Sequence, residues 1–112
     1  MSTVNSNWRL VIRPTDTAIA VKFLSEACSS STANDGNIPY GTSVSSAVVT
    51  AYDDDDSVVA DLVDSYSVAN NIVTVIMSYP STSGAGKYSL RMTLTLSDAS
   101  TQEERYDKIE AI

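Results

Sequence analysis

The strictest constraint on the fold is the alternation of side chains in the segment Tyr88–Leu96. Every second residue there is large and apolar, and the residues between are Ser, Arg or Thr. Successive side chains of a strand point to opposite faces, so a period of two predicts a strand with one buried and one solvated face. Such strands are typical of antiparallel sheets, because parallel sheets are normally covered on both faces. The predicted buried set is Tyr88, Leu90, Met92, Leu94 and Leu96.

The composition extends this prediction to the whole chain. Among its 112 residues are 18 Ser, 11 Thr, 12 Val and 7 Ile. Branching at the β-carbon suits pleated sheets, and Ser competes with helical hydrogen bonding. A chain of this length is the size of one ordinary domain. The sequence therefore predicts an all-β protein.

Turn residues divide the chain into about seven strands, which predicts an Ig-like antiparallel β-sandwich. The pair Asn70-Asn71 predicts a two-residue hairpin turn, because Asn tolerates positive φ. The charged last strand suits the edge of a sheet. The segment Val58–Val63 is either a short strand or one helical turn. The other predicted strands are Trp8–Arg13, Ile19–Phe23, Val44–Tyr52, Ser65–Val68, Ile72–Met77 and Glu103–Ile109.

Two polar segments carry no apolar periodicity. Residues Met1–Asn7 are predicted to form a flexible arm, ahead of a single domain that spans residues 8–112. The segment Ser25–Tyr40 reads as a long connection rich in Ser, Asn, Asp and Gly. Neither segment has enough apolar side chains to repay its ordering entropy. We expect both to be ordered mainly by neighbouring subunits.

The charge and the missing residue types exclude several classes of function. The net charge of −7 disfavours binding to DNA or RNA. The chain has no His, so His-dependent triads and proton shuttles are absent. No apolar run reaches the length of a membrane span, and Met1–Trp8 lacks the features of a signal peptide. We expect a protein made in the cytoplasm that is not an enzyme and needs no cofactor, metal, nucleic acid or membrane.

The acidic residues form two groups that invite a functional interpretation. Asp53–Asp56 is predicted to be a solvated turn, because it lacks the alternating ligands and distal Glu of a calcium loop; weak calcium binding is the alternative. Asp61 and Asp64 are close enough in sequence for paired-carboxylate hydrolysis, but nothing in the sequence places them across a cleft.

Three further features of the sequence are candidates for functional sites. The stretch Gly84–Lys87 lacks the spacing of a phosphate-binding loop and precedes a strand, which predicts a turn. Cys28 lies in a Ser-rich segment without His and is predicted to be a spectator. Trp8 and Tyr40 are candidate interface anchors, since aromatic side chains dominate many interfaces; packing in the core or at a sheet edge is the alternative.

Three segments follow one another in a recognisable order: a Ser-Ala strand with an acidic turn, a Val-rich hairpin, and a Gly-rich turn followed by a Tyr-x-Leu strand. They are GTSVSSAVVTAYDDDDS (Gly41–Ser57), SYSVANNIVTVIM (Ser65–Met77) and STSGAGKYSLRMTLTLSDASTQEERYDKIEAI (Ser81–Ile112). The Gly-rich turn and its strand are Gly84-Ala85-Gly86-Lys87-Tyr88-Ser89-Leu90, and Pro14-Thr15-Asp16 lies upstream. Together, over about residues 8–112, these segments resemble an Ig-like module found in the structural gene clusters of tailed bacteriophages.

This resemblance implies a virion structural protein, most specifically a tail adaptor that connects fibres or spikes to the tail of a short-tailed phage. The partners it implies are the portal or tail tube, the fibres or spikes, and further copies of the chain in a homo-oligomeric ring. Modules of similar architecture also serve as neck proteins or capsid decorations, and a bacterial surface adhesin module is another alternative.

Overall fold

The computed structural model describes residues 9–112 and confirms an all-β architecture. No helix occurs within this range. Two sheets face each other with the apolar side chains between them, as in a β-sandwich. The seven strands are β1 (Leu10–Ile12), β2 (Ile19–Leu24), β3 (Val44–Asp53), β4 (Val63–Ala69), β5 (Ile72–Met77), β6 (Gly86–Leu96) and β7 (Thr101–Ala111).

The strand order has the immunoglobulin pattern. One sheet has the order β2-β5-β4 and the other β1-β7-β6-β3. If the seven strands are lettered A to G in chain order, these sheets are B-E-D and A-G-F-C, whereas constant-type immunoglobulin domains place A beside B. The first strand has therefore moved to the opposite sheet, where it pairs with the last one.

This pairing corrects two details of the sequence prediction. β1 runs parallel to β7, with Leu10 opposite Ile109, so the sandwich is not purely antiparallel. β7 was predicted to be an edge strand, but it lies between β1 and β6. Only its last residues contact β1, which is three residues long because the chain turns away just before Pro14. Trp8, predicted to begin this strand, lies outside the described residues.

The predicted β4–β5 hairpin is confirmed. Asn70 and Asn71 form its turn with φ values of 52° and 64°, the left-handed conformation that a two-residue turn between twisted strands requires. The side chain of Asn71 also accepts a hydrogen bond from the backbone N–H of Val44 at 2.9 Å. The segment Val58–Val63 is neither a strand nor a helix: Val58 makes a single bridge to Tyr52, and β4 begins at Val63.

The core confirms the alternation that opened the sequence analysis. All five apolar residues of β6 are buried, and they meet the inward side chains of β3 and β5. Near the start of β6, the hydroxyl of Tyr88 donates a hydrogen bond to the carbonyl of Gly84. This is the tyrosine corner of Ig-like domains, formed at the same place in the fold. Gly84 has a φ of 78°, a conformation that glycine adopts without strain.

The segment Ser25–Tyr40 is folded onto the domain, so the expectation that neighbours must order it is wrong. Its one large aliphatic side chain, Ile38, is only 1% exposed. Within the segment, the backbone N–H of Cys28 donates to the carbonyl of Ile38, and the N–H of Ile38 donates to the carbonyl of Glu26. The amide of Asn37 donates to Glu104 of β7 at 2.7 Å, and the side chain of Gln102 donates to the carbonyl of Asn37. The segment thus caps the polar, inward-facing part of β7, which the three-stranded sheet leaves uncovered.

Candidate interaction surface

The end of β3 forms a solvated acidic turn, as predicted. We call Asp53–Asp56 the acidic turn. One carboxylate oxygen of Asp53 accepts hydrogen bonds from the backbone N–H groups of Asp55 and Ser57, both at 2.9 Å. These bonds fix the turn from inside and leave Asp54, Asp55 and Asp56 exposed. Within residues 9–112, no group of three or more potential ligands is arranged to hold a metal ion.

One residue of the acidic turn is held by a cation on β6. The guanidinium of Arg91 contacts the carboxylate of Asp56 at 2.8 Å and lies 3.9 Å from the ring centre of Tyr52. Arg91 is opposite Arg105 on β7, so this contact also offsets a like-charge pair in the sheet. In the described part of the chain, Asp54 and Asp55 have no ion-pair partner.

Two exposed valines lie along β3, Val58 close to the acidic turn and Val48 roughly 17 Å from it along the strand. Val48 is 57% exposed on the outer face of β3, and Val58 is 65% exposed where the chain returns past Tyr52. We call Val48, Thr50, Tyr52 and Val58 the β3 surface. β3 is the last strand of its sheet, so no strand is hydrogen-bonded along the first part of its free edge, where the N–H of Val44 bonds to the side chain of Asn71 instead.

A cavity of about 310 Å³ opens at the same end of this sheet, across β6 and β7. Three of the seven Lys and Arg residues of the chain line it. Arg9 is paired with Glu110 at 2.8 Å, whereas Lys87 and Lys108 are exposed and form no ion pair within the described range. We call this the cationic cavity, and its lining is Arg9, Lys87, Asp107, Lys108, Ile109 and Glu110.

The two aromatic residues predicted as interface anchors have different outcomes. Tyr40 is 58% exposed in the turn that precedes β3, so it is not part of the core. It lies at the opposite end of β3 from the acidic turn, and the ten residues of that strand separate them by roughly 30 Å. Its role as an anchor stays a prediction. Trp8 falls outside the described residues.

The two acidic residues weighed for hydrolysis each have their own structural partner. The carboxylate of Asp61 accepts a hydrogen bond from the backbone N–H of Thr82 at 2.9 Å, and this bond lowers the pKa of Asp61. Asp64 accepts a hydrogen bond from the hydroxyl of Ser78. The two contacts tie the β3–β4 connection and the start of β4 to the segment after β5.

The two other candidate sites, Cys28 and Gly84–Lys87, are also held by contacts within the fold. The thiol of Cys28 is half-buried and lies 3.7 Å from the carbonyl of Gly36, to which it donates. The stretch Gly84–Lys87, predicted to be a turn, is one only in part: the turn lies at residues 81–83, and Gly86 and Lys87 are already the first residues of β6. The carbonyl of Gly84 is the acceptor of the tyrosine corner. None of the described residues forms a helix with the length and hydropathy needed to cross a membrane.

Sequence reasoning found the acidic turn but missed the cationic cavity. The acidic turn is a run of four identical residues, so it is visible in the sequence. The basic residues of the cavity are far apart along the chain, at positions 9, 87 and 108, and only the pairing of β1, β7 and β6 brings them together. Comparison with known proteins adds no relative: no family model and no curated protein matches this chain.

Proposed function

We propose that this protein is a non-enzymatic structural component of a tailed-phage particle, an adaptor that connects fibres or spikes to the tail. The observation that carries the proposal is the exposed β3 surface. Its two large valines and outward-facing strand edge are suited to contact with a neighbouring protein. The Ig-like strand order also agrees with the fold that the resemblance to phage modules implies.

The proposed partners follow from that role. The portal or tail tube lies on one side of such an adaptor and the fibres or spikes on the other, with copies of the chain arranged in a homo-oligomeric ring. In a ring each contact is repeated, so modest contacts are sufficient to hold the assembly. The chemistry of docking needs no cofactor, and the protein is made in the host cytoplasm before it joins the virion.

Immunogold electron microscopy of purified particles from a phage that encodes this chain tests the proposal. An antibody against the protein is expected to label the tail. Labelling of the neck or capsid would retain a structural role and reject the adaptor, and particles without label would reject both. Labelling of a bacterial surface, with none on particles, would favour the adhesin alternative.

Variants of the β3 surface test the observation itself. Val48→Glu combined with Val58→Glu is expected to reduce incorporation into particles, because a carboxylate in a protein interface loses its hydration. Both positions are exposed, so the fold should be retained. Ser65→Glu combined with Ser67→Glu is the matched control, because it places the same two charges on exposed positions of β4 in the other sheet. Equal incorporation of the two proteins would reject the β3 surface as the docking site.

A further inference from the structure

The acidic turn and the cationic cavity lie at the same end of the four-stranded sheet. Asp53 is opposite Tyr88, Tyr88 is opposite Ile109, and Ile109 is opposite Leu10. These four residues form a single row across β3, β6, β7 and β1. The acidic turn begins at one end of the row, on β3, and the residues that line the cationic cavity lie on β6, on β7 and just before β1. With strands about 4.8 Å apart, the row is roughly 14 Å wide.

Two exposed pairs of like charge at this end of the sheet are complementary. Within residues 9–112, Asp54 and Asp55 are carboxylates without an ion pair, and Lys87 and Lys108 are cations without one. The cavity also holds the carboxylates of Asp107 and of Glu110, the residue opposite Lys87 on β7, so that three cations outnumber two carboxylates in its lining. Lys87 is one residue beyond the last β3–β6 pair, yet it makes no ion pair with the acidic turn of its own chain. The cationic cavity and the acidic turn of one chain therefore form no ion pair with each other.

We propose that the cationic cavity is a carboxylate-binding site whose occupant is the acidic turn of a second copy of this chain. The inference deepens the assembly role proposed above and rests on it, since it names the neighbour of the β3 surface. A contact between two different faces of identical chains is heterologous, and such contacts close into rings when the rotation permits.

The acidic turn and the cationic cavity lie at the same position along the strand direction. Rotation about an axis parallel to the strands does not change that position, so the turn of one copy meets the cavity of the next without any shift along the strands. The same contact covers Val58, which is two residues after the acidic turn. A two-fold pairing of β3 surfaces about that axis would instead bring turn against turn, where like charges repel.

Sedimentation equilibrium of the purified protein, with charge-reversed variants, tests this inference. The cavity variant carries Lys87→Glu and Lys108→Glu, and the turn variant carries Asp54→Lys and Asp55→Lys. The wild type is expected to self-associate, and each variant alone should raise the dissociation constant about tenfold or more. Self-association should also weaken between about 0.1 M and 1 M salt, because the Debye length falls from about 10 Å to 3 Å.

Mixing the two variants is the decisive measurement. In the mixture, each reversed cavity meets a reversed turn and each wild-type cavity meets a wild-type turn, so association should return. A pairing of charges within one chain would not produce this rescue. All four substituted side chains are exposed, and an unchanged melting temperature verifies that each variant is folded. The control Arg13→Glu reverses an exposed cation outside the cavity and should leave association unchanged.

Two results would overturn the inference: a wild type that stays monomeric up to about 1 mM, or variants whose mixture associates no better than either alone. Failure of the proposed function is distinguishable from this. Rescue in solution with no protein in particles would reject the phage role and retain the contact. Incorporation of the wild type and of the cavity variant to the same extent, with a monomeric wild type, would reject the contact and retain the role.

Discussion

Replacement of Ile38 by Ala measures how firmly the segment Ser25–Tyr40 belongs to the folded domain. Ile38 is 1% exposed, although its neighbours are mostly polar. The substitution removes three buried carbon groups, each of which contributes about 0.8 kcal/mol on transfer from water, for a total of about 2.4 kcal/mol. The cavity left behind adds to this cost, so we expect a loss of about 3 kcal/mol in the free energy of unfolding.

Thermal unfolding followed by circular dichroism is a suitable assay. With an unfolding entropy of about 2.1 cal/mol/K per residue, a chain of this length loses about 4 °C of melting temperature per kcal/mol. Ile38→Ala should therefore melt about 13 °C below the wild type. Tyr40→Ala is the control, because Tyr40 is in the same segment and is exposed. It should change the free energy of unfolding by no more than about 0.5 kcal/mol.

Equal melting temperatures for Ile38→Ala and Tyr40→Ala would refute this reasoning. They would mean that the segment does not pack on the domain in solution. Limited proteolysis gives an independent readout. If the segment is anchored by Ile38, the wild type should resist cleavage there, and Ile38→Ala should be cut faster.

Four further predictions test separate parts of the fold. Leu94→Ala should cost about 2–5 kcal/mol in denaturant titration, because Leu94 is 1% exposed; an unchanged midpoint would reject its place in the core. Tyr88→Phe removes the hydrogen bond of the tyrosine corner and should cost about 1 kcal/mol by the same measurement, whereas a neutral result would show that the bond contributes nothing. Asn71→Gly keeps the turn conformation but loses a side-chain acceptor, so it should unfold more easily than Asn70→Gly; the reverse order would contradict the hairpin geometry. Because a backbone hydrogen bond lowers the pKa of Asp61 in the folded state, its contribution to stability is present above the unfolded pKa and is lost as the pH falls through the folded value. Asp61→Asn should therefore show a smaller loss of stability below about pH 4 than the wild type, and parallel pH profiles would count against this hydrogen bond.

The sequence predicted the parts of the fold that depend on local alternation. The buried face of β6 and the β4–β5 hairpin both follow from residue types a few positions apart, since strand periodicity and positive φ are local properties. The acidic turn was predicted for the same reason. Its solvated conformation follows from four adjacent carboxylates, whose charges repel and favour water.

The errors concern contacts between distant segments. The charged residues of β7 predicted an edge strand. In the structure, Gln102 and Glu104 face inward and form hydrogen bonds with Asn37. A single apolar residue such as Ile38 produces no periodic signal in a polar segment, so its burial was not predictable from the pattern. The cationic cavity was missed because strand order, which no local pattern specifies, brings its basic residues together.

The pairing of β1 with β7 has a consequence for the order of folding. It joins residues that are roughly a hundred positions apart, whereas the β4–β5 hairpin joins residues within one short stretch. Contacts of large sequence separation form late, because the intervening chain must be closed first. With three residues in register, β1 is also the shortest strand. During synthesis, β1 therefore stays unpaired until β7 has left the ribosome, and because three residues hold it in place, we expect it to be released early when the sandwich opens.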